Sequence, residues 1–459
     1  MKKGLVQVML ANILCMLISI VTNFMLPRFL SIETYNVIKS YTLYLSYAGL
    51  FAFGYTDGIY LKYGGRQIDR LNSQELSRDF ATYTIFQVAL SATIATAAIF
   101  CHNELMFVFS CGLLATNLGG YLKILYQATG VFGNYGKALN LEKVVVFLTN
   151  VFLIFSIKTD NSSFYLMAQI LGPVLTLGYL LLTFKILCSG KLQISFSIRT
   201  LFENIQSGFV LTVGGVADIL FTGLDRWFIK LLMGTREFAL YSFAVSLENI
   251  ISTFTAPISI TFYNYFCRNI DVKQVKKIKD VLLLFGFFLM SALFPAKWIV
   301  ENYIPKYVDS VDVIFYLFVA QFFYMIIRSV YVNIYKARKN QNEYLKQIIA
   351  MLILAFLTNA AFYMLMKSME AFAVATCFTS IVWFLLCEYK SREIRFPAMR
   401  YLCIAIILGC LLLFEKRLST VVAFFAYLLT AMIVSLVFLR ETICYCCSIL
   451  ITKMDKFHR

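Results

Sequence analysis

Residues 218–232 read DILFTGLDRWFIKLL. The segment is apolar enough to sit in lipid, yet it carries Asp218, Asp225 and Arg226. A charge at the centre of a bilayer costs roughly 2.5–3.5 kcal/mol on insertion scales, so such groups face a bundle interior or a wet cavity. On a helix, Asp218, Thr222 and Asp225 share one stripe, at i, i+4 and i+7. Arg226 lies about 100° round from Asp225, so these neighbours are poorly placed to pair with each other. Arg226 instead extends the edge of the stripe, four residues after Thr222. A second placement also fits. Asp225 lies about 26 Å along a helix from Gly208, which would put the pair at the outer interface, with Trp227 as an anchor.

The rest of the chain gives that stretch its setting. Of 459 residues, 60% are hydrophobic and only 14% are charged, and the mean hydropathy is +0.76. Soluble domains carry about 25% charged residues, so the composition is that of an integral membrane protein. Met1-Lys2-Lys3 runs straight into an apolar stretch of spanning length, with no cleavage site of small residues. A membrane helix needs about 20 apolar residues. Fourteen segments qualify: about 5–27, 37–61, 80–100, 105–126, 139–157, 164–187, 206–229, 238–264, 280–300, 311–334, 347–366, 370–389, 401–414 and 419–439. With the N-terminus inside, 29 Lys and Arg fall in inner loops and 10 in outer loops, while Arg226 and Arg328 lie on spans. That asymmetry places both termini in the cytoplasm. It also explains the formal charge of +16 without a nucleic-acid partner. The loops are all short, which leaves no room for a soluble catalytic domain.

The twelve cysteines are scattered through apolar segments and read as small hydrophobes rather than a disulfide frame. Cys444, Cys446 and Cys447 lie close in sequence, but only His458 is near them, which does not make a metal site. No cofactor is expected, and histidine chemistry has only His102 and His458 to draw on.

The chain also repeats itself. YGGRQID (63–69) and YFCRNID (265–271) share Tyr, Arg, Ile and Asp at an offset of 202. YQATGVFGNYGK (126–137) aligns with YKARKNQNEYLK (335–346) at 209, and FLSIETYNVI (29–38) with LMGTREFALY (232–241) at 203. The expected architecture is an all-α polytopic membrane protein of about 14 transmembrane helices. An N-terminal six-helix lobe (1–187), a cytoplasmic linker (188–205) and a C-terminal six-helix lobe (206–389) precede two extra helices and a tail (390–459). Parallel repeats of this kind are a transporter plan with a central cavity.

Leu224 to Phe243, LDRWFIKLLMGTREFALYSF, resembles the polysaccharide transport family of lipid-linked oligosaccharide flippases. That family belongs to a superfamily that also holds multidrug extruders and lipid II flippases. Asp225, Arg226, Gly234 and Tyr241 fit the family pattern, whereas Ala239 stands where glycine is favoured. The resemblance implies a flippase of the O-antigen type in a bacterial cytoplasmic membrane. It would move an isoprenoid-pyrophosphate-linked oligosaccharide to the outer leaflet by alternating access. Implied partners are the lipid-linked glycan, membrane lipids and other polysaccharide-assembly membrane proteins.

An anionic pyrophosphate calls for fixed cations, and the arginine fork suits it. Arg328 and Arg226 are the first substrate-binding candidates, followed by Lys39 and Lys123 near span ends. The intramembrane carboxylates Asp57, Asp218, Asp225 and Glu248 are candidates for coupling to H+ or Na+, or for gating. Structural readings stand beside these. Arg328 could simply pair with Asp57 or Glu248, the lysines could only set topology, and Gly54 and Gly58 form a close-packing pair around Asp57. A multidrug or cation antiporter would want unpaired carboxylates, and a glycan polymerase would want a large outer loop.

Overall fold

The computed structural model describes residues 2–187, 195–268, 270–338, 340–445 and 448. Among them the chain is helical throughout and falls into two compact units, Met1–Gly223 and Leu224–Arg459. Among the described residues, eleven helical segments are long and apolar enough to cross a membrane. The count is twelve if the bent pair Ile198–Phe209 and Leu211–Leu232 is one span. This is a multi-pass membrane protein. Backbone groups in lipid must be satisfied within the segment, and helices do this.

The first unit holds α1 (Lys2–Phe29), α2 (Ile32–Ser46), α3 (Tyr55–Tyr63), α4 (Ser73–Phe100), α5 (Glu104–Ala128), α6 (Phe132–Phe152) and α7 (Ser162–Leu187). The first part of α8 (Ile198–Leu232) also belongs to it. The span expected at 37–61 is not one helix. A 3-10 turn at Ala48–Ala52 separates α2 from α3, and Phe53 and Gly54 follow in the left-handed region, at φ 49° and 90°. Glycine tolerates that conformation without cost. The break lets α3 press against α8. A Cβ on Gly208 would overlap the Gly54 carbonyl and the Gly58 amide, and one on Gly58 would overlap the Asn204 carbonyl. Such backbone-to-backbone approach is what small residues allow between membrane helices.

The second unit holds α9 (Thr235–Arg268), α10 (Val272–Leu289), α11 (Leu293–Tyr303), α12 (Val311–Ile326), α13 (Asn333–Ala337), α14 (Gln341–Met366), α15 (Glu370–Lys390), α16 (Ala398–Arg417) and α17 (Thr420–Phe438). A π-turn at Ile327–Val332 joins α12 to α13. Helices α16 and α17 are tied to the rest of the unit at both ends. Arg400 makes a bidentate pair with Asp280 at 2.8 and 3.0 Å and donates to the Phe438 carbonyl. Lys297 pairs with Glu415 at 2.7 Å.

Helices α4 and α10 are among those that start earlier than hydropathy suggests. Asn72 caps α4 by accepting from the Gln74 amide, and Asp271 caps α10 by accepting from the Lys273 amide. Side chains of this kind satisfy orphan donors of the first turn. The early starts carry Asp79 and Lys279 into the bundles, where both are fully buried. Residues 188–194 of the expected linker, with Cys446, Cys447 and His458 of the sequence-level metal reading, lie outside the described residues. Among the described residues, no cluster of three or more metal-ligating side chains occurs.

Candidate functional site

Helices α8 and α9 form a hairpin around Met233-Gly234, where the Phe238 amide donates back to the Gly234 carbonyl. Asp225 stands nine residues before Gly234 and Tyr241 seven after it, so the hairpin brings them opposite each other. The Tyr241 hydroxyl donates to Asp225 Oδ2 at 2.6 Å, and the Arg226 backbone amide donates to Asp225 Oδ1 at 2.7 Å. The acid, arginine, glycine and tyrosine of the sequence pattern are thus one local structure: a turn and the hydrogen bond that closes it. Asp225 is only 7% exposed. Its carboxylate accepts from the tyrosine and from a backbone amide, and the charge of Arg226 also acts on it. The Arg226 Nε is buried and makes no hydrogen bond among the described residues.

Arg328 enters the same neighbourhood from the π-turn. A π-turn widens the helix by one residue and re-aims the side chains on it, and such turns cluster at functional sites. Here its carbonyl accepts the Ser259 hydroxyl of α9 at 3.3 Å. Asn333, just past the turn, donates to the Ser259 carbonyl at 2.7 Å and to the Ser329 carbonyl at 3.0 Å. The Arg328 guanidinium lies 5.9 Å from the Tyr324 ring centre. Glu248, half-buried on α9, is in electrostatic reach of Asp225, Arg328 and Arg226. The second unit therefore brings Asp225, Arg226 and Arg328 within electrostatic reach of Glu248, with Tyr241 bonded to Asp225 and Tyr324 beside Arg328.

The π-turn is itself anchored. Tyr331 lies within it and donates to Glu388 of α15. Glu388 also takes Lys279 Nζ at 2.6 Å, the Phe396 amide at 2.8 Å and the Tyr401 hydroxyl at 2.9 Å. Lys279 donates further to the Tyr331 hydroxyl and the Ile394 carbonyl, each at 2.7 Å. Its ammonium lies 3.9 Å from the Phe396 ring centre.

The remaining candidates have other surroundings. Asp57 accepts the Thr212 hydroxyl at 2.5 Å, between the close-packed glycines of α3 and α8. Lys123 pairs with Glu142 at 2.8 Å. Lys39 lies over the Tyr35 ring, 5.1 Å from its centre. Asp218 is half-buried, and its carbonyl accepts the Thr222 hydroxyl at 2.9 Å. Sequence reasoning passed over Ser259, Tyr324 and the Lys279–Glu388 pair. Of the tyrosines, Tyr241 alone had a signal, as a letter of the motif.

The fold of the chain is a known one. The chain matches the structure of a lipid II flippase, MurJ, in an inward closed conformation, with a TM-score of 0.69 over 96% of this chain and all of that one, at 13% identity. It matches an inward-facing multidrug resistance MATE family transporter of the MOP superfamily with a TM-score of 0.54, over 83% of this chain and 95% of that one, at 12% identity. No family model matches the chain. No curated protein matches it in sequence.

Proposed function

We propose that the chain is a flippase that moves an isoprenoid-pyrophosphate-linked oligosaccharide, such as a surface-polysaccharide repeat unit, from the inner to the outer leaflet by alternating access. The observation that carries this reading is the placement of Arg226 and Arg328. Two guanidiniums lie in electrostatic reach of Glu248 inside one unit, and one of them has a buried Nε with no hydrogen bond among the described residues. Planar forks of this kind bind pyrophosphate oxygens in pairs. Asp225 and Glu248 are matched in number by Arg226 and Arg328, which leaves no excess negative charge for a cationic drug. Likeness of fold to a lipid II flippase supports a lipid-linked substrate. Glu248 would balance the arginines when no anion is bound, and it is the group through which an ion gradient would couple to transport. Lys39 and Lys123 are secondary contacts for the anion in this reading, and Asp57 and Asp218 are gating groups.

Binding of a short-chain isoprenyl pyrophosphate to the purified protein tests this. Affinity should fall at least about tenfold in Arg328→Ala, the loss of one charge-assisted hydrogen-bond pair. Equal affinity for the corresponding isoprenyl alcohol would contradict it.

A further inference from the structure

The first unit contains a polar stripe that the substrate reading does not use. Asp79, Tyr83, Gln87 and Ser91 follow one another at four-residue steps along α4, so they share one face, and all four are buried. Asp79 Oδ2 accepts Lys62 Nζ at 2.6 Å and the Tyr63 hydroxyl at 2.7 Å, while Oδ1 makes no hydrogen bond among the described residues. Tyr83 is stacked against Tyr55 and Tyr121, with ring centres 5.0 and 5.3 Å apart. Its hydroxyl, too, is without a hydrogen bond among the described residues. Gln87 donates to the Phe51 carbonyl at 2.8 Å and accepts from Asn117 at 2.9 Å. Beyond it, Ser91 Oγ on α4 and Thr116 Oγ1 on α5 again make no hydrogen bond among the described residues. Lys62 and Glu75, which pair with each other at 2.8 Å, line a cavity of about 440 Å³ with Arg78, Glu203 and Asn204. Asn204 is buried, and its Nδ2 lies beside the Tyr55 hydroxyl without a well-formed hydrogen bond.

We propose that this stripe is a hydrated proton path in the first unit, entered from that cavity, with Asp79 as its proton-binding group. Buried polar atoms without protein partners are met by internal water. Here such atoms recur along twelve residues of one helix, or about 18 Å, more than half of a ~30 Å hydrocarbon core. The cavity lies at the end of the unit that carries Arg66, Arg70 and Arg78, which the charge asymmetry assigns to the cytoplasm. A proton reaching Asp79 Oδ1 from water there gives a neutral carboxylic acid, and Lys62 keeps Glu75 as its counter-charge. The proton leaves from the same oxygen to water. The charged and titratable groups facing Asp79 are Lys62, Tyr63 and Tyr55 from α3, with Glu75 and Arg78 on its own helix. A metal cation is the poorer fit. One carboxylate oxygen already holds an ammonium and a hydroxyl, and the stripe otherwise offers single hydroxyls and amides rather than a shell of anionic oxygens.

The test is acid–base titration of the full chain in lipid nanodiscs, read by proton uptake and by infrared difference spectra, with no transport substrate present. Asp79→Asn should take up about one proton fewer per chain than the parent and should lose one titrating carboxyl band. Tyr63→Phe, which keeps the Lys62 pair, should shift that band. Tyr83→Phe combined with Ser91→Ala should keep the band and slow its exchange in D2O. An Asp79→Asn titration identical to the parent would overturn the proposal. So would a band that responds to Na+ at constant pH. Should Asp79→Asn fail to fold, an unshifted band in Tyr63→Phe would overturn it instead.

Discussion

Replacing the acid of the Lys279–Glu388 pair gives the sharpest energetic prediction. Both side chains are essentially unexposed, at 0% and 1%. Breaking a buried pair by removing one partner costs about 3–5 kcal/mol, whereas replacing both by apolar groups is often close to neutral. The hydrogen-bond inventory decides where each variant falls. In Lys279→Met, Glu388 keeps three donors, Tyr331, Tyr401 and the Phe396 amide, so the cost falls near the low end, about 3 kcal/mol. In Glu388→Leu, the ammonium keeps two acceptors and the Phe396 ring, but three donors lose theirs, and the cost rises to about 4 kcal/mol. The double variant has no buried charge and leaves only neutral donors unmet, for about 3 kcal/mol in all. The coupling is then about 4 kcal/mol, far above the ~0.5 kcal/mol within which independent sites add. Denaturant unfolding in detergent would measure it, with fluorescence of Trp383, fully buried on the same helix, as the reporter. Additive single costs, or a Glu388→Leu protein as stable as the parent, would refute the reasoning. Because Tyr331 shares the π-turn with Arg328, Glu388→Leu should also weaken substrate binding.

Further outcomes follow from the same contacts. Tyr241→Phe leaves a buried carboxylate short of one charge-assisted hydrogen bond, at a cost of about 1.5–3 kcal/mol, measurable as a lower midpoint in the same unfolding experiment. Arg328→Ala and Arg226→Ala should impair translocation with the protein still inserted. Lys367→Gly, at an exposed loop position with φ 51°, should leave transport unchanged, as a leaflet assay would show. Gly208→Leu should force α8 off α3, since even a Cβ there overlaps the α3 backbone, and cysteine cross-linking between the helices should drop sharply.

Much of the architecture was legible because lipid imposes it. Spans must be long, apolar and helical, and hydropathy reports those properties directly. The first turns were not legible. Hydropathy starts the third and ninth spans at residues 80 and 280, one residue after Asp79 and Lys279, and so assigns both to loops. Their helices begin earlier, at caps formed by Asn72 and Asp271, and the buried charges belong to the bundles. The break at Phe53-Gly54 was hidden for a related reason: two residues in the left-handed region do not alter a hydropathy average. The π-turn at Arg328 depends on Ser259, far away in sequence, and Glu388 stands 109 residues from Lys279. Neither pairing leaves a local trace. Asp225 and Tyr241 were visible as motif letters, and the hairpin supplies the reason they occur together.

Transport in a reconstituted membrane tests the identity of the substrate. Purified protein is reconstituted in liposomes with a fluorescent isoprenoid-pyrophosphate oligosaccharide in one leaflet and a cationic dye tested in parallel, and appearance of each on the other side is followed. The account predicts that the lipid-linked glycan crosses, that the dye is held back, and that Arg328→Ala abolishes the crossing. Dye movement without glycan movement would contradict it and would turn attention to Glu248 and Asp225 as sites for a cation.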